Sequence, residues 1–72
     1  MNPLAVSLLD REAPVVRGLL VEALSAQGRT RLTFNVTNVL IDFDSGTVTV
    51  DDELDPQVAV VVPLTEFRAY VQ

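Results

Sequence analysis

Leu32-Thr33-Phe34-Asn35-Val36-Thr37-Asn38-Val39-Leu40-Ile41-Asp42-Phe43-Asp44-Ser45-Gly46-Thr47-Val48-Thr49-Val50 decides the fold. Apolar and polar residues alternate along this stretch, the period of a strand with one buried face. Leu32, Phe34 and Val36 hold one parity, and Val39, Ile41 and Phe43 the other. The slip falls at Thr37-Asn38. Uncorrected, it would send every later apolar side chain to the wrong face. A β-bulge in one long strand corrects it, and so does a tight turn between two short ones. Thr-Asn is a poor two-residue loop beside Asn-Gly, which favours the bulge. Asp44-Ser45-Gly46-Thr47 is the strongest hairpin signal. A two-residue loop at Ser45-Gly46 sets Phe43 against Val48 and Ile41 against Val50 on one face. On the other face it sets Asp42 against Thr49 and Leu40 against Asp51. A three-residue loop opposes Phe43 to Thr47 and Asp42 to Val48, a worse match.

Working outward toward the N-terminus, Val16, Leu19, Leu20, Ala23 and Leu24 recur at steps of three and four, predicting a helix over 15–27. Gly28 stands where a left-handed C-terminal cap is expected, and Arg29 and Arg31 suit the negative end of the helix dipole. Gly18, inside this helix, reads as a site of close helix packing. Asn2-Pro3 is a plausible helix start for a turn or two over residues 3–10, with Asn2 as the N-cap. Pro14 either begins the second helix or kinks one long one.

Toward the C-terminus, Asp51-Asp52-Glu53-Leu54-Asp55-Pro56 is a polar turn. Val58-Ala59-Val60-Val61-Val62 is apolar on both faces, as a central strand is, or an edge strand covered by a partner. Pro63 opens a last helix with Leu64, Phe67, Tyr70 and Val71 on one side. The expected fold is a single α+β domain over residues 1–72. It has an N-terminal helix, an antiparallel meander of three strands (four if Thr37-Asn38 is a turn), and a short C-terminal helix. Both helices should cover one sheet face, with Leu19, Leu20 and Leu24 against Phe34, Ile41, Val50 and Val60.

Charge is distributed one-sidedly. No basic residue lies between Arg31 and Arg68, while Asp42, Asp44, Asp51, Asp52, Glu53, Asp55 and Glu66 all fall there, so this half carries most of the net charge of −5. Such a field disfavours direct nucleic-acid binding and anionic membranes and favours a basic protein partner. Asp42, Asp44, Asp51 and Asp52, with Glu53 and Asp55 at the rim, are the candidate interaction patch.

The residue types argue against most chemistries. There is no Cys and no His, so neither thiolate nor imidazole can serve as ligand, nucleophile or base. Ser7, Ser25 and Ser45 have no His or Lys to activate them. The three glycines stand apart, so there is no phosphate loop. Asp42, Asp44 and Glu53 occupy positions 1, 3 and 12 of a nominal calcium loop, but glycine falls at position 5 instead of 6 and both flanks read as strands. Paired carboxylates doing acid–base work would need a desolvated cleft that so small a sheet has little room for. No metal, cofactor or catalytic residue is therefore expected.

No apolar run approaches the roughly 20 residues of a membrane helix, and the first residues do not read as a signal peptide, so a cytoplasmic location is expected. Yet 49% of the 72 residues are hydrophobic and the mean hydropathy is +0.34. That is more than a domain of this size buries by itself. Leu40, Ala59 and Val61 are the side chains left over, and they form the candidate surface of a homodimer. The expected function is that of a small acidic, non-enzymatic interaction or regulatory module, of inhibitor or neutraliser type and homodimeric. The alternative is an enzyme, or an accessory subunit that completes another chain's active site.

Overall fold

A computed structural model describes residues 1–12 and 15–72. The elements are α1 (Pro3–Asp10), α2 (Val15–Ala23), β1 (Arg29–Phe34), β2 (Thr37–Asp42), β3 (Thr47–Asp52), β4 (Asp55–Pro63) and α3 (Leu64–Val71). The strands form one antiparallel sheet in the order β1-β2-β3-β4, so each strand pairs with its neighbours in sequence. The fold is α+β.

The parity slip is resolved by a turn, not by the bulge that the Thr-Asn pair favours. Phe34 pairs with Thr37, leaving Asn35-Val36 as a two-residue loop. The turn lies two residues earlier than Thr37-Asn38, because Asn35 takes up a left-handed backbone (φ 41°). Asn is among the few residues other than glycine that do so at low cost. Val36, in phase with Leu32 and Phe34 of the first strand, is therefore a turn residue. Its carbonyl accepts from the Glu53 N–H at 2.8 Å.

The second hairpin also differs from its expected register. Ile41 pairs with Val48 and Asp42 with Thr47, so the loop holds four residues, Phe43 to Gly46. Asp42 selects it. Its Oδ1 accepts from the N–H groups of Asp44 (3.1 Å) and Ser45 (3.2 Å), its carbonyl accepts from Gly46 N–H (2.9 Å), and Gly46 closes the loop at φ 71°. The shift is by two residues, so every side chain keeps its face.

Asn2 caps α1, its Oδ1 accepting from Leu4 N–H at 2.8 Å, with Pro3 at the first helical position. The expectation that Pro14 begins or kinks a helix lies outside the described residues. The second helix ends at Ala23, short of Gln27. There the chain tightens into i→i+3 bonds, Ser25 N–H to Glu22 and Ala26 N–H to Ala23, and the Ser25 hydroxyl also donates to the Glu22 carbonyl. Gly28 is left-handed as expected (φ 74°), but it swings the chain into β1 instead of capping the helix directly.

One core forms. Ala5, Leu8 and Leu9 of α1, Val16, Leu20 and Ala23 of α2, Leu24 just beyond it, and Phe67 and Val71 of α3 are buried. They pack against Val39, Ile41, Val48, Val50 and Val62. Those five strand residues share a single sheet face, so all three helices lie on that face. Leu19 is exposed, contrary to its expected place against the sheet, because Leu20 and Leu24 fill the inward stripe.

Candidate interaction surface

With the helices on one side, the other side of the sheet is open. Its side chains follow from the register in three rows running from β1 to β4. One row is Arg29, Asp42, Thr47 and Pro63. The middle row is Arg31, Leu40, Thr49 and Val61. The third is Thr33, Asn38, Asp51 and Ala59. Val61 is 61% exposed, Ala59 is exposed, and Leu40 is half-buried between its neighbours. The three residues expected to be uncovered therefore share this face, two of them on the edge strand β4. Arg29 and Arg31 were expected at the helix terminus. They sit instead on β1, where Arg29 Nε approaches Asp42 Oδ2 at 3.7 Å.

The candidate acids do not gather in one patch. Asp42 and Asp44 lie at the β2–β3 loop, while Asp51, Asp52, Glu53 and Asp55 lie about the β3–β4 turn. Four residues of β2 separate the two ends, or ~13 Å. Nor do Asp51 and Asp52 share a face, since consecutive strand residues point oppositely. Asp51 is on the open face. Asp52 is on the helix side, where Arg11 Nη1 donates to its Oδ2 at 3.1 Å. That hydrogen bond, followed by the Leu54 N–H, holds the Asp52 carboxyl below the ordinary aspartate range. Asp42 is lowered too, first by the Ser45 N–H, with burial opposing and Arg29 adding a smaller pull.

The turn end also holds two buried polar residues that sequence reading treated only as a register problem. Thr37 faces the helices, and its hydroxyl donates to Glu12 Oε2 at 2.9 Å and accepts from Arg11 Nε at 3.0 Å. Arg11 Nη2 donates to the Val36 carbonyl at 2.7 Å. Asn38, 5% exposed, faces the open side. Its amide donates to Asp51 Oδ1 at 2.8 Å and to Glu53 Oε2, and its carbonyl oxygen accepts from the Thr33 hydroxyl at 2.7 Å. Polar residues at a parity slip were the available signal. Their partners lie on other strands, which spacing alone does not reveal. Both amide hydrogens of Asn38 are taken by carboxylates, so the acids around it are structurally committed as well as charged.

A cavity of about 180 Å³ between the three helices is lined by Leu9, Asp10, Glu12, Val16, Arg17, Leu20, Tyr70 and Val71. Its polar groups are tied to one another. The Tyr70 hydroxyl donates to Asp10 Oδ1. Arg17 donates to the Tyr70 carbonyl at 2.8 Å and stacks on the Tyr70 ring, 5.0 Å from its centre. Burial, then the bond to Asp10, pushes the Tyr70 hydroxyl above its ordinary pKa. No helix among the described residues is long and apolar enough to cross a membrane. Set against known protein families, characterised proteins and solved structures, the chain matches none.

Proposed function

We propose that the chain is a small non-enzymatic interaction module of regulatory type, an inhibitor or neutraliser. In this reading it acts in the cytoplasm as a homodimer and offers its acidic turn end to a basic protein surface. The observation that carries this reading is the open sheet face. A four-stranded sheet covered by helices on one side leaves Val61, Ala59 and Leu40 on the other, and apolar side chains there gain by being covered. The acids support a basic partner because Asp51, Glu53 and Asp55 stand at one end of that face, where complementary charge steers association.

Sedimentation equilibrium across micromolar concentrations tests the reading, with Val61→Asp as the perturbing variant. The wild type is expected to be dimeric and the variant monomeric with an unchanged circular dichroism spectrum. Covering Val61 is worth ~2 kcal/mol per copy, enough to shift dissociation more than tenfold. A wild type that stays monomeric at these concentrations would remove the homodimer from the reading.

A further inference from the structure

The two edges of the sheet are not alike, and the hydrogen bonds show which backbone groups each one leaves free. Leu64 N–H donates to the Gly46 carbonyl at 2.8 Å, which makes Gly46 and Leu64 a hydrogen-bonded pair. Antiparallel pairs alternate, so Val62–Val48 and Val60–Val50 are bonded pairs as well. The intervening residues Ala59, Val61 and Pro63 then direct their backbone groups away from β3, toward the free edge. Pro63 fits, having no N–H to offer. On the other edge, Phe43 N–H donates to the Gly28 carbonyl at 2.8 Å, so by the same alternation Arg29, Arg31 and Thr33 point their backbone outward from β1.

Natural sheets guard free edges with charge, proline or a bulge. The β1 edge carries two arginines at its outward positions. The β4 edge carries Ala59 and Val61 there, and no charge from Gln57 to Val62. Asp51 pairs with Ala59 but Asp52 with Asp55, so the irregularity takes up Pro56 to Val58, and the regular, unguarded stretch is Ala59 to Val62, ended by Pro63.

We infer that the β4 edge pairs with the β4 edge of a second copy of this chain, antiparallel, about a two-fold axis at Val60. This rests on the homodimeric reading above and specifies how the dimer is built: Ala59 and Val61 cover each other across the joined β4 edges, while Leu40 stays on the open face. The register follows from the outward groups. Setting Ala59 against Val61 of the other copy satisfies both N–H groups and both carbonyls of each protomer, four bonds in all. Setting Val61 against itself instead would bring Ala59 against Pro63, which has no N–H to give. In the favoured register Val60 meets Val60 on the helix side, while Ala59 meets Val61 on the open side, so every cross-strand pair in the centre is apolar. Like parity keeps the helices of both copies on one side, giving a continuous sheet of eight strands. What remains at its ends is β1 twice over, guarded by Arg29 and Arg31, so the assembly closes as a dimer.

Amide hydrogen exchange, followed by NMR from dilute to dimeric concentrations, reads this directly. The Ala59 and Val61 amides are expected to exchange about a hundredfold more slowly in the dimer than in the dilute chain, approaching Val60 and Val62. Ala59→Pro removes one outward donor from each copy while sparing the β3–β4 ladder, and is expected to weaken the dimer at least about tenfold. Leu40→Lys, central on the open face, is expected to leave it intact. A wild-type dimer whose Ala59 and Val61 amides exchange freely, or which Leu40→Lys dissociates and Ala59→Pro does not, is stacked face to face and overturns the edge pairing alone. A monomer with both amides exchanging freely overturns the homodimer too, and leaves the edge for an extended segment of a different protein.

Discussion

Thr37 occupies a core-facing strand position with no exposed surface, where valine would ordinarily serve better. Its hydroxyl is the reason valine would not. It donates to Glu12 and accepts from Arg11, and the Glu12 side chain is itself only 4% exposed. Removing the hydroxyl leaves a buried carboxylate short of a donor. Thr37→Val is therefore expected to destabilise the fold by about 1–3 kcal/mol despite its gain in apolarity and strand propensity. Urea denaturation of the two proteins measures this, and a variant as stable as the parent would show that water replaces the hydroxyl without cost. Arg11 holds the network together, touching the first hairpin turn through Val36, the second strand through Thr37 and the third through Asp52. One side chain in the segment after α1 thus fixes where that helix meets the sheet.

Among the elements, α2 contains a residue that works against it. Gly18 was expected to let helices approach closely, but a methyl group built there meets nothing within 4 Å. The site is exposed and helical, so the backbone freedom of glycine is a pure cost to folding. Gly18→Ala is expected to stabilise by about 0.5–1 kcal/mol, raising the thermal midpoint by several degrees. A scanning calorimeter decides it, and a lowered midpoint would mean that Gly18 serves a contact not seen here. How far these elements were legible varies for physical reasons. Helical and strand periods located α2, β3 and α3 because each buries one stripe or face. The hairpin loops were harder, because cross-strand matching repeats every two residues, and loops of two and four residues at Asp44-Ser45-Gly46 bury the same side chains. The carboxylate of Asp42 chose between them, and the left-handed backbone of Asn35 did the same for the first hairpin. For the surface, alternation put Leu40, Ala59 and Val61 on one face. The expected hairpin register joined Asp42 to Asp52 in one patch, whereas the observed sheet separates them by length and by face.

For the molecule as a whole, the acid side of the pH scale is where stability is set. Asp42 and Asp52 both have lowered pKa values in the fold, so each contributes fully above the ordinary aspartate value of about 3.9 and loses its contribution as pH falls through the lowered one. Protonation also relieves the repulsion of a net charge of −5, which acts in the opposite direction. The ties of Asp42 to its loop and of Asp52 to Arg11 are local and specific, whereas the repulsion is diffuse and screened. Thermal midpoints are therefore expected to hold steady from about pH 7 to pH 5 and to fall below about pH 4. A midpoint that rises on acidification would mean that the diffuse term wins.

The strand order has a further consequence, in time rather than in space. Because β1, β2, β3 and β4 lie in the sheet as they lie in the chain, each hairpin can close with no later segment present, and every closure is short. Such connectivity favours rapid folding for a sheet and lets pairing proceed as a ribosome delivers the chain. The sticky margin, Ala59 to Val62, follows β3 in the chain, which can receive one side of it. Pairing with β3 then occupies one margin of β4 early, so the segment best suited to joining two molecules is left with only its outer margin to offer.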